Sequence, residues 1–102
     1  MKEIHQGSVL NLKASPDRIV NALVISNTSL LKHTGMILVC PIVKTDKTYP
    51  LHIPMEDGRC RIFCEQIKNI DLHEANYEIV GSVPDQILKS VIQVIEAEIQ
   101  AE

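Results

Sequence analysis

Residues 19–26, Ile-Val-Asn-Ala-Leu-Val-Ile-Ser, are apolar on both of their alternating sets. Successive side chains of an extended segment point to opposite faces, so such a strand needs cover on both sides. Its β-branched residues suit a pleated backbone better than a helix. A chain of 102 residues holds one core and not two. The segment therefore predicts a central strand, with the rest of the chain supplying its neighbours and its cover.

Those neighbours are short. Gly7 to Lys13 reads as an edge or half-buried strand, and Ala14-Ser15-Pro16-Asp17 as a turn in which Pro fixes φ. Asn27 to Gly35 is polar and irregular. Met36 to Val43 predicts a third strand, in which Pro41 implies an edge or a bulge. Lys44 to Thr48 is a charged loop, Tyr49 to Ile53 a fourth strand, and Met55-Glu56-Asp57-Gly58 a turn. From Arg59 to Cys64 the pattern alternates, with Arg59, Arg61 and Phe63 on one face and Cys60, Ile62 and Cys64 on the other. Ile67 to Leu72 adds another strand.

The period then changes. Ser82-Val83-Pro84-Asp85 carries helix-start signals, with Ser82 as the capping residue. Ile87, Leu88, Val91, Ile92, Ile95 and Ile99 recur at helical spacing as one stripe. Glu96, Glu98 and Glu102 oppose the helix dipole, so the last turn frays. Several short strands and one closing helix predict a mainly β fold. The expected form is a small SH3-like barrel of five to seven strands, a single domain over residues 1–102 with the barrel at about 4–80 and the helix at about 83–100.

Composition narrows the partners. Ten Lys and Arg against thirteen Asp and Glu give a net charge of −3, so any nucleic-acid contact needs a local basic patch. Tyr49, Phe63 and Tyr77 are the aromatic residues, leaving few stacking platforms. No apolar run reaches membrane-spanning length, and MKEIHQGSV lacks the core of a secretory signal. A cytoplasmic location is expected. Cys40, Cys60 and Cys64 form no CxxC pair and sit in strand-like runs, which predicts buried thiols and no metal. Cys60 and Cys64 with His52 match no zinc spacing. His5, His33, His52 and His73 read as surface residues.

Three ordered segments resemble the MazF/PemK family of toxin endoribonucleases: Gly7-Ser8-Val9, Ala22-Leu23-Val24-Ile25-Ser26-Asn27, and Glu65-Gln66-Ile67-Lys68-Asn69-Ile70-Asp71. Tyr49-Pro50 after a charged loop is a further parallel. The resemblance implies a homodimeric toxin of a type II toxin–antitoxin pair. It would cut single-stranded RNA without metal or other cofactor, by attack of the 2′-hydroxyl on the neighbouring phosphate, and an antitoxin protein would hold it in check. The related CcdB toxins end in a Trp-containing segment, and this chain has no Trp.

The family's catalytic Arg and Thr positions fall on Val20 and Val43, and neither side chain can move a proton or stabilise an oxyanion. The loop between the first two strands is also shorter than the family's. Arg18 and Thr45 lie two residues beyond those positions, on the same predicted face, and are the expected relocated catalytic pair. Lys13, Lys44 and Lys47 are the expected RNA-binding cations. Glu65 and Gln66 either join them or tie down backbone donors at a strand end. The alternative reading is a protein that keeps the fold and binds an antitoxin-like peptide or nucleic acid without cleaving RNA.

Overall fold

The computed structural model describes residues 3–101. Seven strands form one antiparallel sheet: β1 (Ser8–Ser15), β2 (Arg18–Val24), β3 (Met36–Lys44), β4 (His52–Pro54), β5 (Cys60–Phe63), β6 (Lys68–Asp71) and β7 (Tyr77–Ser82). Two helices complete it, α1 (Thr28–Thr34) and α2 (Asp85–Ile99). The strand order is β4-β5-β3-β2-β1-β7, with β6 also paired to β3, so the sheet is open and not a closed barrel. The mainly β character and the C-terminal helix are as expected.

β2 is the central strand that its double-sided apolar pattern requires. Leu23 and Ile25 join Cys40, Ile42, Ile62, Cys64, Val83 and Val91 in one buried cluster, beneath α2. Ala22 and Val24 join Leu10, Ile37 and Val39 in a second cluster on the other face. Ile87, Leu88, Ile92, Val94 and Ile95 of α2 pack against the first cluster. Ile99, the last residue of the expected stripe and of α2, is 75% exposed.

Gly7 is where the sheet meets that helix. Its φ is +96°, and an added Cβ would stand 3.4 Å from the Leu88 side chain. Its amide donates to the Val24 carbonyl and its carbonyl accepts from Val83, which ties the start of β1 to β2 and to the entry of α2. A side chain here would be strained by φ as well as crowded.

Several local expectations are corrected. Residues 28–34 form α1, for which Asn27 is the N-cap, its side chain accepting from Leu30 N–H at 3.0 Å. Gly35 ends it in the left-handed region at φ 72°. Pro41 lies in an inner strand and not at an edge. Leu38 accepts from Ile25 N–H on the β2 side, so the odd-numbered amides of β3 face the other edge. Along that edge the β6 ladder ends at Val39 and the β5 ladder begins at Ile42, so Pro41's missing donor falls in the gap between them. Residues 77–82, unassigned from sequence, form β7 against β1. Ser82 belongs to β7, and the N-cap of α2 is Pro84, which makes no side-chain cap bond.

Two of the three thiols are core groups. Burial, the largest cause, pushes Cys40 up to about 12 and Cys64 up to about 11. Both therefore ionise later in the folded chain than at the ordinary 9.0, and this stabilisation is complete below pH 9 and lost as pH rises toward 11 and 12. Cys60 is only half-buried, where the alternating pattern had implied a core thiol.

Two measurements check this packing. Leu23→Ala should lower the unfolding free energy in urea titration by about 2–5 kcal/mol, whereas Ile99→Ala should stay within about 0.5 kcal/mol. In thiol labelling at pH 8, Cys40 and Cys64 should react only on unfolding. Native-state labelling of either as fast as a free thiol would contradict their burial.

Candidate functional site

Strand register assembles one continuous face from residues far apart in sequence. Ile79, Leu10, Ala22 and Pro41 are successive cross-strand partners from β7 to β3. The neighbouring row runs from Tyr77 through Leu12 to Val20. The β2–β3 ladder ends at Asn21↔Ile42, so continuing that register by one residue opposes Val20 to Val43. From Val43 the row passes to Arg61 and then to Pro54. Opposed residues share a face. The second core cluster and both valines therefore lie on the side away from α2.

A cavity of about 310 Å³ opens on this face over Val20, Ala22, Val39 and Pro41. Lys13, Lys68, Glu74 and Asn76 also line it. The Lys13 amide donates to the Asn76 carbonyl at 2.9 Å, fixing one wall. An apolar floor with two lysines at its border suits an elongated anionic chain, or a peptide with an apolar side chain to bury.

The expected site residues separate into three groups. Arg18, exposed at the head of β2, and Thr45, just past β3, are opposed when the β2–β3 register is continued by three residues. Thr45 donates its amide to the Arg59 carbonyl, and its Oγ1 accepts from Lys47 N–H at 3.2 Å. Lys13 lines the cavity, and Lys68, not singled out from sequence, lines it too. Lys44 alternates onto the Ile42 face, toward α2, while Lys47 lies in the exposed loop. Glu65 and Gln66 line a second, shallower cavity of about 400 Å³ with Tyr49, His52 and Phe63.

His52 corrects its surface assignment, since its side chain is 8% exposed. Its ring stacks on Phe63 at 3.7 Å with 6° between planes, and Tyr49 meets it edge-on at 5.0 Å. His52 Nε2 lies 2.8 Å from Glu65 Oε1. The ionised carboxylate can only accept, so Nε2 carries the hydrogen and Nδ1 keeps its lone pair in the neutral ring. Glu65 is thus bonded to a side chain, and not to the backbone donors that its structural reading names. Near it on α2, burial and the Glu65 charge hold the Glu98 carboxyl above its usual range.

Two buried side-chain nitrogens have no protein partner among the described residues: His52 Nδ1 and Arg61 Nε. His52 and Arg61 lie on the same sheet face, in adjoining rows. The alternating pattern from Arg59 to Cys64 had placed Arg61 beside Phe63, but only the β3–β5 register sets it against Val43. Among the described residues, no group of three or more His, Cys, Asp or Glu side chains could hold a metal ion, and no helix is long and apolar enough to cross a membrane.

The family model for the PemK-like, MazF-like toxin of type II toxin–antitoxin systems matches residues 9–99. No protein of curated function matches the chain in sequence. Among solved structures, a MazE–MazF complex from Deinococcus radiodurans superposes with a TM-score of 0.87 at 17% identity, covering 100% of both chains. MazF from the same organism gives 0.81 at 19% identity, over 96% of this chain and 97% of the other. An endoribonuclease in complex with its cognate antitoxin, from a mycobacterial species, gives 0.82 at 14% identity over 98% and 100%. At these identities the structural likeness speaks for the fold.

Proposed function

The chain belongs to the PemK-like, MazF-like toxin family of type II toxin–antitoxin systems, and from that premise we propose that it is a toxin that cuts single-stranded RNA without a metal. The observation that carries this reading is the cavity over Val20, Ala22, Val39 and Pro41, bordered by Lys13 and Lys68. With Glu74 also on the lining, the two lysines leave it one net positive charge, the local excess that a chain of net charge −3 needs to attract RNA. Backbone phosphates would lie along the lysines while the sugar and base edges cover the apolar floor.

The chemistry asks little of the protein. The 2′-hydroxyl is tethered beside the phosphorus it attacks, so proximity comes with the substrate. What remains is to hold the phosphate in line, to manage two protons and to offset the added negative charge. Arg18 and Thr45 are proposed to act at the outer end of this face, as the sequence reading has them. Cytoplasmic action follows from an RNA substrate. A homodimer is part of the proposal too, supported by exposed apolar side chains on β2 and β7, Ile19, Tyr77 and Val80.

One observation favours a second reading. Valines stand at 20 and 43 where the reaction needs polar groups, and the apolar floor over Val20, Ala22, Val39 and Pro41 suits a peptide side chain better than a phosphate. On this reading the groove binds an antitoxin-like segment and cleaves nothing. Two of the structural relatives are toxin–antitoxin complexes, which supports an antitoxin partner under either reading.

Incubating the purified chain with mixed RNA in the presence of a chelator decides between them. The first reading expects defined cuts that persist without metal. Intact RNA at high protein concentration would favour the second. Lys13→Ala and Lys68→Ala should each weaken RNA binding across sequences. Each should also flatten the dependence of log affinity on log salt by about 0.7, the share of one phosphate contact on a single strand.

A further inference from the structure

Arg61 stands in the row that the family's reacting groups would occupy. It pairs directly with Val43 across β3–β5, and Val43 is opposed in turn to Val20 when the β2–β3 register is continued. Directly opposed side chains start about 5 Å apart at Cβ. An extended arginine carries its guanidinium about 6 Å beyond Cβ, over some five bonds. Arg61 can therefore set its charge over Val43 and toward Val20 without any change in the strands. Arg18 and Thr45 start two residues away along β2 and β3, about 7 Å from the same point.

Its surroundings single it out among the cations. The residue is half-buried, and Nε is fully covered yet lacks a hydrogen-bond partner among the described residues. No carboxylate pairs with Arg61 among the described residues, where the ion pair present is His52–Glu65. A guanidinium carries five donors in a planar fork that matches a phosphate. Covering one of those donors without a partner costs stability. What sets Arg61 apart is this covered Nε, which holds the side chain in place while its terminal nitrogens, not among the buried orphans, stay open to an anion that arrives from outside.

We propose that Arg61 binds the scissile phosphate and stabilises the charge that builds on it during cleavage. The inference rests on the endoribonuclease reading above. The 2′-oxygen bonds to phosphorus and yields its proton to water. The bond from phosphorus to O5′ breaks, and O5′ takes a proton from water, leaving a 2′,3′-cyclic phosphate and a 5′-hydroxyl. Arg61 donates hydrogen bonds to the non-bridging oxygens throughout and gains or loses no proton. It thereby supplies from β5 the guanidinium that the family takes from the head of its second strand.

The test compares the wild-type chain with Arg61→Ala, Arg61→Lys, Arg18→Ala, Thr45→Ala and, as a control on α2, Lys89→Ala, all checked for native melting. Arg61→Ala should cut the mixed RNA about 100-fold or more slowly, and guanidinium ion at millimolar concentration should restore part of the rate. Arg61→Lys should recover less than the guanidinium does, because an ammonium lacks the planar fork. Lys89→Ala should cut at the wild-type rate. Wild-type cleavage by Arg61→Ala would overturn the inference while leaving the endoribonuclease reading intact, the more so if Arg18→Ala and Thr45→Ala are inactive. A wild-type chain that cuts no RNA sinks the endoribonuclease reading and the charge-stabilising role with it. The phosphate contact then stands or falls by whether Arg61→Ala weakens RNA binding and flattens its salt dependence.

Discussion

β3 is bonded along both edges, to β2 on one side and to β6 and then β5 on the other. That pairing fixes the register of nearly everything else. A slip of one residue would turn Cys40 and Ile42 away from α2 and carry Pro41 and Val43 into the helix-covered core. Pro41 helps to hold the strand in place, because its missing donor is tolerated only at the gap between the β6 and β5 ladders. The turn at Asp57 performs a similar service for β5. Backbone donors of Arg59 and Cys60 converge on its carboxylate, hold it below the usual range and set where the strand begins.

The two faces of this sheet have separate tasks. The α2 face is a conventional core that keeps two thiols neutral and buries Leu23 and Val91. The opposite face is buried near α1 and open over β2 and β3, where the cavity lies. A groove there needs a strand apolar on both sides, since its floor must pack even where nothing of this chain covers it. Val20 and Val43 satisfy the packing need, and they also remove the polar groups that a reaction would use. The role proposed for Arg61 would reconcile the two demands, because a long side chain can bring charge over an apolar floor from one strand away.

The helix α1 shows why some of this was hidden. Asn27 followed by Leu30 and Leu31 and closed by Gly35 is a short capped helix in retrospect, yet seven residues give too few turns for a periodic stripe to stand out. His52 was hidden for a different reason. Its burial comes from Phe63 and Glu65, more than ten residues away, and no local pattern encodes that contact. β7 escaped because its side chains are mostly exposed and its stability comes from pairing with β1.

The sequence by itself determined the central strand, the closing helix and the family, because two-sided apolar patterning, helical periodicity and short ordered segments are local properties. It also carried the expectation, from the family resemblance, that Val20 and Val43 hold the catalytic places. Which polar residues face those valines was decided only by the tertiary structure. Register between β3 and β5 is set by ladder hydrogen bonds and by packing beneath α2, and neither can be read from one strand alone. That register puts Arg61 beside Val43, where the alternating pattern of residues 59–64 could say only that it shares a face with Phe63.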